Sequence, residues 1–248
     1  MDATLKDYGG DVLVFCGGKG TRLHSLASRY HCKTLVEFHG KPAIQYVLEE
    51  VRSAMLDRIV LCIDRLEIIP PIEKVLEKMH IRNIEIYIDC GRGPMPAMYE
   101  ASKLCKGNQA LVIFGHHLIT ANHIRNLLDF RSNPVVSLYK TTSESHCKIT
   151  STNEFHVCTH VSRHDKVLPL ASDESYIDLP YVLPIPFFMD YMFPTIKRLF
   201  IKGEMSMQNL SKDEVMFGLS ADFPHEFHTV QDLPTVELFA ETLLNHQP

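Results

Sequence analysis

"VFCGGKGTRLHSL", residues Val14 to Leu26, decides how this chain is read. An apolar run ends abruptly in Gly17-Gly18-Lys19-Gly20-Thr21-Arg22. The run reaches back to Asp11, so "DVLVFC" reads as a short strand buried on both faces, with the glycine turn leaving its carboxyl end. Glycine lets the main chain take positive φ and come within contact distance of a ligand. Successive exposed amides then form an anion cradle, to which Lys19 and Arg22 add charge-assisted hydrogen bonds for phosphate oxygens. The spacing fits neither the Walker loop, Gly-x4-Gly-Lys-Ser/Thr, nor the dinucleotide fingerprint, Gly-x-Gly-x-x-Gly. A solvated glycine turn has the same composition, and only its neighbours separate the two readings.

Working outward, "RIVLCI" (Arg58–Ile63), "IEIYID" (Ile84–Asp89), "ALVIF" (Ala110–Phe114) and "VVSLY" (Val135–Tyr139) are also short, β-branched and bounded by turn signals. All read as strands, mostly buried on both faces. Helical patterns lie between them: "GKPAIQYVLEEVRSAML" with Pro42 in a first helical turn, then "IIPPIEKVLEKM", "PAMYEASKLC" and "ANHIRNLLDF". The alternation predicts an α/β fold, a mostly parallel Rossmann-like sheet with helices on both faces. After about Ser143 the rhythm breaks into a smaller mixed part rich in Ser, Thr, His and Pro. Helices are expected there around Met189–Phe200 and Thr235–Leu244. One domain over 1–248 follows, with a nucleotide-binding half to about residue 140 and an acceptor-binding half beyond it.

Composition narrows the partners. With 248 residues, 45% apolar and 22% charged, the chain supports a substantial core. A formal net charge of −5 supplies no global field for nucleic acid or an anionic membrane, so any cationic site is local. Seven cysteines without a CxxC pair point to a reduced interior, hence the cytoplasm, and not to a disulfide framework or structural zinc. "MDATLKDYGG" lacks the basic start and apolar stretch of a secretory signal, and no run is long enough for a membrane span.

A second block follows the glycine turn: "CKTLVEFHGKPAIQYVLE", with Lys33 in an extended segment and Gly40-Lys41-Pro42 opening a helix. Gly-Gly-x-Gly-Thr-Arg-Leu followed by Lys-x-Leu-x4-Gly-Lys-Pro resembles the nucleoside-diphosphate-sugar pyrophosphorylases, the sugar-1-phosphate nucleotidyltransferases, whose fold is GT-A-like. The resemblance covers roughly the first 125 residues. It implies that Gly17, Gly18, Lys19, Gly20 and Thr21 wrap the triphosphate, and that Arg22 and Lys33 neutralise phosphates during the reaction. The family lysine usually follows proline; here Cys32 precedes it. "DCGRGPMPAMYEAS" stands where the family has a base-contacting loop, which gives Gly91, Gly93 and Ala97 that role, with a plain strand-to-helix connection as the alternative.

One departure matters. Where the family has a strand ending in Gly-Asp, whose aspartate holds magnesium, this chain has "LVIFGHHLIT", with His116 in the aspartate's place. The family's second aspartate falls near Gln231 or Asp232 without a clean alignment. The resemblance implies a divalent cation, Mg2+ or Mn2+, with His116 as its candidate protein ligand, yet magnesium takes oxygen ligands and imidazole suits softer ions. The expected partners are an NTP and a small phosphorylated acceptor, a sugar 1-phosphate or another phosphate or phosphonate metabolite, and assembly as a homo-oligomer is left open. The competing reading is a catalytically silent, nucleotide-binding regulatory paralogue. A GT-A glycosyltransferase is disfavoured, because no Asp-x-Asp motif is present.

Overall fold

The computed structural model describes residues 10–18, 20–23, 30, 32–56, 58–89, 94–129, 135–139, 144–152, 158–169, 176–194, 217–221, 227 and 229–245. Eleven strands fall among them: β1 (Asp11–Phe15), β2 (Glu37–Phe38), β3 (Lys41–Pro42), β4 (Arg58–Ile63), β5 (Ile84–Ile88), β6 (Gln109–Phe114), β7 (Val135–Tyr139), β8 (Glu144–Thr152), β9 (Cys158–Pro169), β10 (Tyr176–Pro184) and β11 (Phe217–Ala221). The main helices are α1 (Ala43–Ser53), α2 (Ile69–Lys78), α3 (Pro94–Ser102), α4 (Ala121–Leu128) and α5 (Leu233–Asn245).

Seven strands form one sheet in the order β11-β7-β10-β6-β1-β4-β5. The β6-β1-β4-β5 run is parallel throughout, while β10 enters antiparallel to both β6 and β7. Side chains alternate across this sheet as strand geometry requires. Val12 and Val14 face the cluster under α1, α2 and α4, whereas Leu13 and Phe15 face the cluster under α3. Helices therefore cover both faces, as the alternation of patterns predicts. Of the strands beyond residue 140, β10 and β11 join this same sheet, whereas β8 and β9 pair antiparallel as a separate two-stranded sheet.

Four local expectations are corrected. The edge strand β5 is not buried on both faces: Ile86 and Ile88, which share one face at the rim of the sheet, are 38% and 44% exposed. Pro42 is not in the first helical turn but is the N-cap of α1, with extended φ −66 and ψ 148, and it pairs with Glu37 in the small β2–β3 hairpin. That hairpin turns at His39 and Gly40, both at positive φ, as a two-residue loop of this kind demands. Within the expected helix of 189–200, a short helical turn at Ile185–Phe187 runs into a π turn at Phe188–Met192, and residues 195–200 lie outside the described ones. Lys33, finally, is not extended; its turn is described below.

A third apolar cluster bears on the site. Leu23, Val36, Phe38, Ala43, Tyr46, Leu118 and Phe227 pack with Val236, Ala240 and Leu243 of α5. The last helix thereby covers the segment that follows the glycine turn. Among the described residues no helix is long and apolar enough to cross a membrane.

Candidate functional site

Strand order reverses at β1. The winding runs from β1 to β4 and β5 on one side, then returns to lay β6 on the other. In an open parallel sheet, a crevice forms beyond the carboxyl ends of the strands at such a reversal, and ligands bind there. The glycine turn leaves β1 at this end, and Gly115-His116 leaves β6 beside it.

The glycine turn is built from the main chain. Cys16 N–H donates to the Cys62 carbonyl at 2.9 Å, carrying the β1–β4 ladder one residue further. Gly18 and Gly20 then take φ +99 and +59, values that side-chain-bearing residues rarely adopt. Leu23 N–H donates to the Gly20 carbonyl at 2.8 Å and closes a 3-10 turn over Thr21–Leu23. Leu23 is fully buried in the third cluster while its neighbour Arg22 is exposed. A buried anchor thus fixes the turn that presents the arginine. Lys19 and the side chain of Thr21 lie outside the described residues.

Lys33 opens a second 3-10 turn, Lys33–Leu35, in which all three residues are buried and Lys33 itself is 7% exposed. Val36 N–H donates to the Lys33 carbonyl at 3.0 Å to close it. The turn is pressed onto the ends of β1 and β6. Gly115 N–H donates to the Phe15 carbonyl at 2.8 Å, and a Cβ placed on Gly115 meets Thr34 Cγ2 at 2.8 Å and Cys16 Sγ at 3.4 Å. Glycine at 115 is therefore what lets the Lys33 turn dock. Gly115→Ala forces Thr34 to move, an overpacking expected to cost about 1–3 kcal/mol of stability, checked by urea unfolding.

The remaining candidates separate. His116 is 5% exposed, its ring stacked on Phe114 at 5.2 Å and met edge-on by Phe227 at 5.6 Å. Those are the contacts of a packed aromatic ring, a poor seat for a hard cation that needs oxygen ligands. Asp232 is spoken for: its Oδ2 accepts from Thr229 N at 2.7 Å and from Thr229 Oγ1 at 3.0 Å in a capping box before α5. Among the described residues no three His, Cys, Asp or Glu side chains converge on one point. The described side chains therefore build no magnesium cage of three protein ligands, and an ion there would draw its oxygens from one or two carboxylates and the substrate phosphates. Ala97 is 2% exposed, within the core between α3 and the sheet, and Gly91 and Gly93 lie outside the described residues. Lys41 pairs with Glu49 at 2.7 Å and lies 4.6 Å over the Tyr46 ring, which makes it part of the start of α1. Burial pushes the thiols of Cys16 and Cys62 well up, so both stay protonated and neither is a nucleophile.

Sequence reasoning missed two residues here. Asp64 and Arg65 follow β4, and both contact Gly18. A charged pair ending an otherwise apolar strand was the available signal.

Known proteins corroborate this frame. A family model described as a MobA-like NTP transferase domain matches residues 12–179. A solved structure described as a glucose-1-phosphate thymidylyltransferase from Bacillus anthracis is similar at TM-score 0.73 and 14% identity, covering 93% of this chain and 94% of the other. CTP:phosphocholine cytidylyltransferase from Streptococcus pneumoniae is similar at TM-score 0.68 and 16% identity, over 93% and 98% of the two chains. HddC from Yersinia pseudotuberculosis gives 0.67 and 16%, over 93% and 99%. At these identities the likeness is one of fold. The curated proteins contain no match to the sequence.

Proposed function

The chain belongs to the MobA-like NTP transferase domain family and is a nucleotidyltransferase; from that premise we propose that it moves NMP from an NTP to a small phosphorylated acceptor, with pyrophosphate leaving. The acceptor class is a sugar 1-phosphate or another small phosphate or phosphonate. The single observation that carries this reading is the meeting, at the β1/β6 reversal, of a glycine turn bearing an exposed Arg22 and a docked turn bearing Lys33.

An acceptor oxygen attacks the α-phosphorus in line, the bond to the bridging oxygen breaks, and its electron pair leaves with pyrophosphate. The acceptor oxygen is already anionic, so no strong general base is required, and the catalytic burden falls on positioning and charge neutralisation. The glycine turn and Arg22 hold the β- and γ-phosphates from the solvent side. Lys33, fixed through Thr34 to the sheet, offers its charge where negative charge builds on the leaving group. No step is assigned to a divalent ion here: His116 is packed among aromatic rings, and among the described residues no three His, Cys, Asp or Glu side chains converge. The half beyond residue 140 shapes the acceptor pocket in this reading.

The aromatic packing of His116 favours a second reading, a relative that binds nucleotide without turnover. One experiment addresses both. Purified protein is screened by thermal shift against the four NTPs, and pyrophosphate release is followed with Mg2+ or Mn2+ and a panel of phosphorylated acceptors. A saturating NTP at about a hundred times its Kd stabilises by about 2.7 kcal/mol, a rise of roughly 5–10 °C in Tm at this chain length. Pyrophosphate release with one acceptor supports transfer. A shift without release supports the silent relative, and no shift with any NTP rejects both.

A further inference from the structure

Gly18 is held at both ends of its own residue by the pair that follows β4. Its N–H donates to Asp64 Oδ2 at 2.8 Å, and its carbonyl accepts from Arg65 Nη2 at 3.1 Å. Arg65 Nε also donates to Asp64 Oδ1 at 3.0 Å, so the three contacts close a ring. The two side chains are partly screened from solvent, at 26% and 21% exposure. Gly17 belongs to the same arrangement. A Cβ there meets the Asp64 carboxylate at 3.0 Å, whereas a Cβ on Gly18 meets nothing within 4 Å. The two glycines thus answer different demands: Gly18 supplies a positive-φ backbone, and Gly17 leaves room for Asp64 to reach it.

We propose that Asp64 and Arg65 are positioning residues that brace the glycine turn in its ligand-ready form, a conclusion that rests on the nucleotide-binding reading above. Three features point this way. With its N–H given to Asp64, Gly18 does not serve phosphate; it serves as the fixed pivot for the amides after it. A bare carboxylate at an anion seat repels a triphosphate, but this one is paired with a guanidinium, so the brace carries no net charge into the seat. The pair also ties β4 to β1 at the crevice itself, across 46 and 47 residues of sequence, which fixes a turn that glycine otherwise leaves free.

A competing role for the same contacts is a placeholder, a carboxylate that occupies the amide until phosphate displaces it. The two roles predict opposite signs. If Asp64 braces, Asp64→Ala raises the NTP KM about tenfold with kcat within about twofold, since a disordered turn costs binding before it costs chemistry. Asp64→Asn, which keeps an oxygen for Gly18 N–H, restores most of the loss. Gly17→Ala, which displaces the carboxylate without touching Asp64, reproduces the Asp64→Ala effect. Hydrogen exchange at the Gly18 amide accelerates about tenfold or more in Asp64→Ala, whether or not nucleotide is present. Should Asp64→Ala fold poorly, Arg65→Gln carries the same expectations. An unchanged or lowered KM in Asp64→Ala overturns the brace while leaving the nucleotide reading intact. Absence of NTP binding in the wild-type chain overturns that reading and the proposal with it, even if the exchange result holds.

Discussion

Lys33→Met is expected to lower kcat by about a hundredfold to a thousandfold while changing NTP affinity by less than about threefold, the scale seen when a preorganised group facing developing charge is removed. Lys33 is 7% exposed on a turn whose three residues are all buried. The turn that carries this ammonium is docked through Thr34 on Gly115, at the carboxyl end of the sheet. In the proposed mechanism that placement sets the charge against negative charge that builds as the reaction proceeds. In the proposed mechanism the glycine turn and Arg22 grip the ground-state triphosphate, so the buried lysine adds little to affinity and much to the transition state. Methionine keeps the aliphatic length that fills the turn, and urea unfolding of the same variant separates lost chemistry from lost fold. Single-turnover pyrophosphate release, with nucleotide binding measured in parallel by calorimetry, checks the split. A loss confined to KM would falsify this role for Lys33 and leave it as another phosphate-binding cation. Arg22, being exposed and screened by water, is the natural comparison: Arg22→Met should cost about tenfold, mostly in KM.

How much of this was legible beforehand follows the range of the interactions. Val12 and Val14 against Leu13 and Phe15 follow period-two geometry, so β1 and its double burial could be read from a handful of adjacent residues. The same holds for β4 and for the helix that follows Pro42. What could not be read depends on partners far along the chain. Nothing in the local pattern of Tyr176–Pro184 says that it slots antiparallel between β6 and β7. Lys33 looked extended because the residues around it are β-branched and apolar; its 3-10 turn exists because Thr34 docks on Gly115, far downstream in the chain. The site shows the same divide. The family resemblance picked out Arg22 and Lys33, both set at the β1/β6 reversal. The same resemblance gives Gly17 to the triphosphate; what it does not signal is that the missing side chain of Gly17 also makes room for Asp64. His116 reads in sequence as a stand-in for a metal-binding aspartate, and in space it is a ring among rings.

Asp11→Ala is expected to destabilise the fold by about 3–5 kcal/mol, the usual consequence of stripping one partner from a buried charged pair. Asp11 begins β1 with a fully buried side chain. Its carboxylate is paired with Arg58 at the start of β4, and its Oδ2 accepts from Lys106 N at 2.8 Å and Gly107 N at 2.7 Å. Arg58 in turn donates to Glu85 Oε1 and to the Leu104 carbonyl, both at 2.8 Å. One carboxylate therefore ties the amino ends of β1 and β4 to the segment that leads into β6. Alanine leaves two main-chain donors and the Arg58 Nε without their acceptor, and each unmet buried group carries its own penalty. For a chain of this length the loss corresponds to a Tm lower by roughly 6–20 °C. The site sits at the opposite end of the same strand, about 20 Å away at some 3.3 Å per residue. KM for NTP at 20 °C should therefore stay within about twofold of wild type, even as the unfolding midpoint falls. Calorimetric unfolding and steady-state kinetics on the one variant measure both. A KM that moves with the Tm would mean that the two ends of β1 are coupled, and that the crevice draws its geometry from the whole strand instead of from the turns docked at its carboxyl end.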